Sequence, residues 1–435
     1  MQEYVLGVDI GGTNIKMGAV DYKGNILANL KVPTQASLAA EAILDRLVHY
    51  IRDLIGSISG YRLTAIGFGI PGAIRFHNGV VTQAPNIPAW DGLPIRQMLQ
   101  ERLQLPCYIE NDANAIALGE AWMGAARGYN HVCCLTLGTG VGGGVIIDGE
   151  LLRGADGMAA ELGHISVQAD GARCNCGSYG CLETFASATG ILRILSQLLQ
   201  EKPSSLAALS GSQLTTEIVY RHAVQGDAVA REVLEIAGRG LGVGMASLIN
   251  MFNPEIMVIG GGVAAAWDVL MPPAMKSMYE RAFKAPAARA NVARAEKEDE
   301  AGIYGSAYVA WNSIQRGDAG PSKERSLTPW GFWQVLEEGK DYKVKRLYIH
   351  PGHRISYQKH QHREETWMIA AGEALVILNG QEYRLSAGQT IHIPKTALHR
   401  IGNTGNAPLV FFEVQRGTYF GEDDITRLED DYSRN

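Results

Sequence analysis

The run from Thr136 to Glu183 constrains this chain more than any other stretch. It opens on a strand-like segment ending in a glycine-rich loop, Leu137-Gly138-Thr139-Gly140-Val141-Gly142-Gly143-Gly144. It passes through Glu161-Leu-Gly-His164 and closes on Cys174-Asn-Cys176-Gly-Ser-Tyr-Gly-Cys181-Leu-Glu183. One His and three Cys make a tetrahedral zinc set with no open position, so such an ion would fold the loop and do no chemistry. Gly177 and Gly180 suit the tight turns that wrap a chain around an ion. The plain alternative is three buried thiols. Three of the six cysteines of the chain fall between 174 and 181, which favours the metal. Cys107, Cys133 and Cys134 lie in apolar, strand-like runs and read as inert core residues.

The glycine loop has two companions. Tyr4-Val-Leu-Gly-Val-Asp9-Ile10 reads as a buried strand, Gly11-Gly12-Thr13-Asn14 as a turn, and Ile15 to Val20 as a second strand. Strand, turn, strand is a hairpin. It is neither a Rossmann fingerprint nor a Walker loop, because both of those lead into a helix. Ile259-Gly260-Gly261-Gly262-Val263 follows a third apolar strand, Glu255 to Ile259. Bare glycines let backbone N–H groups approach phosphate oxygens. Asp9, at a strand end, is placed to hold Mg²⁺ through water. One such turn could be an ordinary hairpin, but three after three buried strands point to a polyphosphate.

Length and charge limit the classes. At 435 residues the chain has room for about two to four domains. The net charge is −6 with no long basic run, so nucleic acid is an unexpected partner. No charged-then-apolar leader opens the chain, and no apolar run approaches roughly 18 residues. The cysteines fit metal binding in a reducing compartment better than a disulfide framework, which gives a cytoplasmic expectation and no membrane.

These motifs resemble the ROK family of sugar kinases, within the actin-like and hexokinase-like ATPases. Asp9-Ile-Gly11-Gly12-Thr13 is similar to its first phosphate motif, and Leu137-Gly138-Thr139-Gly140 to its second. Asn250-Met-Phe-Asn-Pro254-Glu with Ile259-Gly260-Gly261-Gly262-Val263 is similar to its adenosine motif, and the Cys/His cluster to its hallmark. The resemblance covers residues 1 to about 315. It implies an α/β, two-lobed actin/hexokinase-like fold with ATP and Mg²⁺ against the glycine turns (Lys16 among the ATP contacts) and a hexose at the hinge. A homodimer or higher oligomer is expected with it.

The sugar site follows residue by residue. Ala84-Pro85-Asn86 looks like the family loop that contacts sugar, and Glu110-Asn111-Asp112-Ala-Asn114 like its catalytic motif. Phosphoryl transfer to an alcohol needs the hydroxyl held in line and its proton accepted. Asp112 matches the family base for that step. Asn111 can hydrogen-bond two hydroxyls. Glu161 and His164 are three apart and share a face of a helical turn. The family's matching Glu, His and Glu bind sugar hydroxyls, so Glu161, His164 and Glu183 take those roles. His164 would then give one ring nitrogen to zinc and the other to sugar. The plainer role for Asn111-Asp112 is a helix N-cap, since Ala113 to Met123 reads as a helix; a cap beside a cleft can serve both ends.

Beyond a small-residue helix, Ala301 to Trp311, the character changes. Residues 316–326 are polar, with Gly and Pro, and read as a linker. From Leu327 short strands alternate with turns: Ala374 to Leu378, Gln389 to Ile393 and Leu409 to Val414 suggest a small all-β barrel. Gly352, separated by five residues from Gln358, begins a segment reaching His360-Gln-His362-Arg-Glu-Glu365. A strand HxH places both imidazoles on one face. Glu365 closes that set, and Gly388, Pro394, His399 and Asn403 keep the spacing of a second half-motif. His360, His362, Glu365 and His399 form an open site suited to Zn, Mn, Fe or Co.

This tail, 327–435, resembles the cupin of type II phosphomannose isomerases. Trp330-Gly331, Tyr342 to Arg346, His360 to Trp367 and Glu413 to Ile425 carry the likeness. Gln361 and Thr366 stand where that family commonly has His, and Thr396 where it has Gly; no isomerase base is identified. The resemblance implies a sugar phosphate in the cupin and interconversion of mannose 6-phosphate and fructose 6-phosphate. The two halves then form a kinase of glucose, mannose or fructose and an isomerase of the product. A cupin that only senses sugar or mediates assembly is the alternative. A ROK-type repressor would need an N-terminal helix-turn-helix, for which three residues before the first strand leave no room.

Overall fold

In the computed structural model, residues 2–76, 78–209, 211–297, 299–315, 325–339, 341–421, 424–429 and 431–432 are described. The chain divides into two units, Met1–Pro321 and Ser322–Asn435. Most of the expected linker, 316–324, lies outside the described residues. Strand structure resumes at Arg325, two residues before the expected start.

The first unit holds two five-stranded sheets of the same topology. One runs β3 (Ile26–Pro33), β2 (Asn14–Asp21), β1 (Gln2–Ile10), β4 (Tyr61–Ile70) and β7 (Cys107–Asn111). The other runs β10 (Glu150–Leu151), β9 (Val141–Ile147), β8 (Val132–Leu137), β11 (Ile256–Gly260) and β12 (Asn291–Arg294). In each, an antiparallel pair starts the sheet and parallel strands extend it from the first strand. A small hairpin, β5 (Ala73–Arg75) with β6 (Val80–Gln83), sits beside the first sheet. β11 and the second half of β4 are continuous apolar runs buried on both faces, which only a sheet covered by helices allows.

Helices Asp112–Met123 and Ala301–Gln315 pack on each other and share one apolar core with residues of both sheets. Their approach needs glycine. A Cβ on Gly305 would lie 1.6 Å from the Ala115 carbonyl oxygen. Cys107, Cys133 and Cys134 are fully buried, and burial pushes the first two thiols up to about 12, so they are inert as expected.

The second unit is a strand-rich barrel of two sheets. One orders β13 (Arg325–Thr328), β14 (Gly331–Glu338), β15 (Tyr342–Ile349), β22 (Leu409–Gly417), β17 (Arg363–Ala371) and β20 (Thr390–Ile393). The other orders β19 (Gln381–Ser386), β18 (Glu373–Leu378), β21 (His399–Asn403), β16 (Tyr357–His360) and β23 (Ile425–Glu429). Alternate residues of β17 and β22 point inward, and their core is aromatic and aliphatic except where Arg363, Glu365, Glu413 and Gln415 stand.

Candidate functional site

Two of the three glycine turns meet in one cavity of about 690 Å³. Gly138, Thr139 and Gly140 line it from between β8 and β9, and Gly261 from the end of β11. Gly261 has φ +88°, and a Cβ there would lie 2.5 Å from the Leu137 carbonyl oxygen, so two turns fit together because one residue has no side chain. Asn86, Asn111, Asp112, Glu161, His164 and Glu183 line the same cavity. The Gly11–Thr13 turn lies at its edge, with Gly12 packed on Asn86. Lys16 is ion-paired with Asp299 at 2.8 Å.

Asn111 caps helix Asp112–Met123, its Oδ1 accepting from Asn114 N at 3.0 Å and its Nδ2 donating to the Gly72 carbonyl. The cap fixes Asp112 at the first helical position, facing the cavity. Burial pushes the Asp112 carboxyl up to about 7, and the negative charges of Asp9 and Glu161 add to it. Asp9 is likewise raised to about 6, chiefly by burial. Two facing carboxyls with raised pKa values form a donor set that a divalent cation relieves, and a base near 7 is matched to neutral pH. Behind the cap, Glu110 is fully buried, paired with Arg153 at 2.8 Å and bonded by Asn114 Nδ2.

The Cys/His loop is wound as its glycines require. Gly177 and Gly180 have φ of +95° and +62°, and a Cβ on Gly180 would lie 1.6 Å from the Gln168 carbonyl oxygen. One ligand atom each from His164, Cys174, Cys176 and Cys181 lies within 4.8 Å of the others. Cys174 Sγ to His164 Nδ1 and Cys176 Sγ to Cys181 Sγ are both 3.7 Å. A tetrahedron with metal–sulfur bonds of about 2.3 Å has edges of about 3.8 Å, so the set fits zinc. Glu183 links loop and cavity: one carboxylate oxygen accepts from Val141 N at 3.0 Å and the other from Cys174 Sγ at 3.5 Å.

The barrel of the second unit encloses a cavity of about 250 Å³. Glu365 lines it and clusters with His360 and His399, each of the three almost fully buried. His360 Nε2 is 3.1 Å from Glu365 Oε1, and His399 Nε2 is 3.8 Å from Glu365 Oε2. His399 Nδ1 donates to the Ala397 carbonyl at 2.9 Å, which leaves Nε2 as the basic nitrogen, buried and without a hydrogen-bond partner. Burial lowers the pKa of His399, keeping it neutral. Burial would raise the Glu365 carboxyl, but His360, which is hydrogen-bonded to it, and the Arg363 guanidinium outweigh it and hold the group well below the usual range. An orphaned neutral imidazole, a second imidazole and a charged carboxylate in one pocket fit a divalent metal. Glu413 shares the donors of Glu365: Trp367 Nε1 and Gln415 Nε2 each bond both carboxyls. Burial, with the charge on Glu365, pushes Glu413 up to about 8, so the two carboxyls differ in protonation.

Residues 5–313 match the family model described as "ROK family". The chain belongs to the ROK family. Residues 318–430 match the model described as "Mannose-6-phosphate isomerase C-terminal". A glucokinase of Thermotoga maritima is 38% identical over 308 residues, 70% of this chain and 96% of that protein. A ROK family glucokinase of Streptomyces griseus, solved with glucose and AMPPNP, is 36% identical with a TM-score of 0.62, covering 71% of this chain and 99% of its own. A xylose repressor of Caldicellulosiruptor bescii is 30% identical over 308 residues, 69% of this chain and 76% of that protein.

The ROK unit thus brings together the residues expected to contact sugar, Asp112, and the 138–140 and 261 turns; Asp9, Gly11, Gly12, Thr13, Lys16, Gly260 and Gly262 do not line the cavity. In the cupin one expectation is corrected. His362 is not in the cluster: β16 ends at His360, the chain turns, and His362, 58% exposed, bonds Asp424 at 2.8 Å through Nδ1. The strand neighbour on the face of His360 is Gln358, which pairs with His399 in register and lines the cavity. Its signal was the five-residue interval after Gly352. The reading also missed Glu413, Lys345 and the Glu110–Arg153 pair, none of which belongs to a local ligand spacing.

Proposed function

We propose that the ROK unit transfers the γ-phosphoryl group of ATP to the 6-hydroxyl of a hexose, and that the cupin interconverts aldose and ketose forms of the hexose 6-phosphate. The observation that carries the first part is the convergence of Asp112, Asn111, Glu161, His164 and Glu183 on the cavity that holds the glycine turns. Asn86, Asn111, Glu161, His164 and Glu183 hold and orient sugar hydroxyls. Asp112 takes the 6-hydroxyl proton as the new O–P bond forms and the bond to ADP breaks. Mg²⁺ near Asp9 would neutralise the charge on the phosphates. His164, Cys174, Cys176 and Cys181 would hold zinc as a fold element that positions Glu183.

In the cupin, His360, Glu365 and His399, with the Gln358 amide oxygen, would hold a divalent metal, which polarises a carbonyl. Glu413, in its deprotonated form, is assigned the proton that leaves C2 of the open-chain aldose and returns to C1, while the hydroxyl proton on O2 is transferred to O1. Glucose, mannose and fructose are the candidate hexoses. Mannose joins both activities in one sequence, mannose to mannose 6-phosphate to fructose 6-phosphate. The test is ADP release from a panel of hexoses, followed by analysis of the sugar phosphate formed. ADP release with no hexose would sink the kinase reading, and metal-loaded protein that never interconverts the two phosphates would leave the cupin as a sensor or assembly module.

A further inference from the structure

Glu110 is the last buried residue of β7, two before Asp112, and is only 2% exposed. A carboxylate buried to that degree is costly unless several donors satisfy it. Three do. Oε1 accepts from Asn111 N and from Asn114 Nδ2, both at 3.1 Å. Oε2 accepts from Arg153 Nε at 2.8 Å. The first two donors belong to the start of the Asp112 helix. The third comes from the other sheet of the ROK unit, two residues beyond β10. Arg153 has a second hold on the first half: its guanidinium stands 4.2 Å over the ring of Phe76, the residue after β5. Its carbonyl accepts from Gly157 N at 3.1 Å and Ala159 N at 3.2 Å, which curls the segment that runs on to Glu161. That segment lies against the β5–β6 hairpin. Phe76 N donates to the Asp156 carbonyl at 3.1 Å, and a Cβ on Gly157, at φ +101°, would lie 2.7 Å from Phe76 Cβ. Neither Glu110 nor Arg153 lines the cavity of about 690 Å³, but what each one holds does: Asn111, Asp112 and Asn114 on one side, Gly157 to Glu161 on the other.

We propose that Glu110 and Arg153 form a positioning pair that ties the two halves of the ROK unit together behind the cavity and sets the Asp112 carboxylate against the sugar held by Glu161. This rests on the kinase reading and adds to it what aligns the two sides of the site. Asp112 starts a helix that follows one sheet, and Glu161 ends a loop that follows the other. In-line transfer needs the hydroxyl, its base and the phosphate aligned, and a misplacement of about 1 Å costs about 10²-fold. One carboxylate bonded from both sides fixes that alignment without touching substrate. The guanidinium bonds Glu110 through Nε while its face rests on Phe76; an ammonium would supply the charge without the stacked plane.

The test uses full-length protein, with Arg153→Met, Arg153→Lys, Glu110→Gln and the double variant Glu110→Gln/Arg153→Met compared to wild type. Circular dichroism and thermal unfolding establish which variants are folded. In folded Arg153→Met, kcat should fall about 10- to 100-fold and the KM for the hexose should rise, while the KM for ATP stays near its wild-type value. Arg153→Lys should restore part of kcat. The double variant should lose little more than the worse of the two single variants, because both act through one contact. Arg153→Met strands a buried charge; where that unfolds it, the double variant, which removes both charges, and Arg153→Lys carry the same kinetic comparison. A second readout needs no turnover: calorimetric titration with hexose should show weaker binding in the Arg153→Met and double variants. Weaker binding in those variants of a protein that releases no ADP would keep the positioning pair and sink the kinase reading. Phosphorylation with kcat and hexose KM unchanged in folded Arg153→Met or in the folded double variant would overturn the proposal and leave the pair as a stability element alone.

Discussion

The two candidate metal centres use similar ligand numbers to opposite ends. The set at His164, Cys174, Cys176 and Cys181 comes from one loop, is rich in sulfur, and is closed. The set at His360, Glu365 and His399 comes from separate strands and contains a carboxylate, Glu365, that lines a cavity. Four soft ligands at tetrahedral spacing leave no position for a substrate, so the first centre acts through what its loop carries, above all Glu183. Three hard or borderline ligands leave positions open, so the second can polarise a bound group directly. On the proposed function, one centre would shape a site and the other would be part of one.

The largest effect expected is at Asp112, the proposed base. Asp112→Asn should lower phosphoryl transfer by about 10²–10⁴-fold with the fold retained, and retention of more than half the wild-type rate at saturating ATP and sugar would remove Asp112 from the mechanism. The base works deprotonated, and its carboxyl is raised to about 7. Wild-type kcat/KM should therefore rise with pH through about 7 or somewhat below, because Mg²⁺ and nucleotide favour the charged form. A flat profile from pH 5 to 8 would contradict it.

Chelation separates the centres next. Losing a Lewis acid worth several kcal/mol should cost the cupin about 10³-fold in isomerisation, while phosphorylation recovers when Mg²⁺ is restored, because a closed Cys/His zinc exchanges slowly. Equal and simultaneous loss of both activities would break the contrast. A smaller effect is expected for Cys176→Ser, which removes one member of the Cys/His cluster and neither Asp112 nor a residue assigned to sugar. Loss of zinc should loosen the Glu183 contacts and weaken sugar binding about 10–100-fold, the usual scale for outer-shell groups. Unchanged sugar affinity in zinc-free protein would show that the loop does not position Glu183.

The smallest effect concerns a residue departing from the cupin pattern. Thr396 has φ +65°, a region that a β-branched side chain avoids, while its N–H bonds the His360 carbonyl at 2.8 Å. Thr396→Gly should stabilise the cupin by about 0.5–1 kcal/mol, the relief of strain less the entropy of glycine. Calorimetry showing destabilisation would mean that the threonine side chain contributes more than its backbone costs.

The same contrast explains what the sequence made legible. The clustering of His164, Cys174, Cys176 and Cys181 was readable because spacing within one loop is nearly the whole geometry. The capped Asn111-Asp112 was readable because helix starts carry local signals, and the structure places both at the cavity. His362 was misplaced because the face it occupies depends on where β16 stops, which two residues of sequence do not reveal. Glu413, Lys345 and Arg153 owe their surroundings to strand register or to pairing across the fold, information no local pattern contains. The repeated sheet topology of the ROK unit was hidden too, because the two halves share strand order and no motif spacing.

The most direct test of two chemistries on one chain follows ¹³C-labelled mannose in a single tube. Full-length protein, its cupin loaded with Zn, Mn or Co, receives Mg-ATP, and NMR records the products in time. The account predicts mannose 6-phosphate first and fructose 6-phosphate after it, with chelation before the second step trapping the first product. Mannose 6-phosphate that accumulates without conversion in metal-loaded protein, or a mannose signal that never changes, would contradict it.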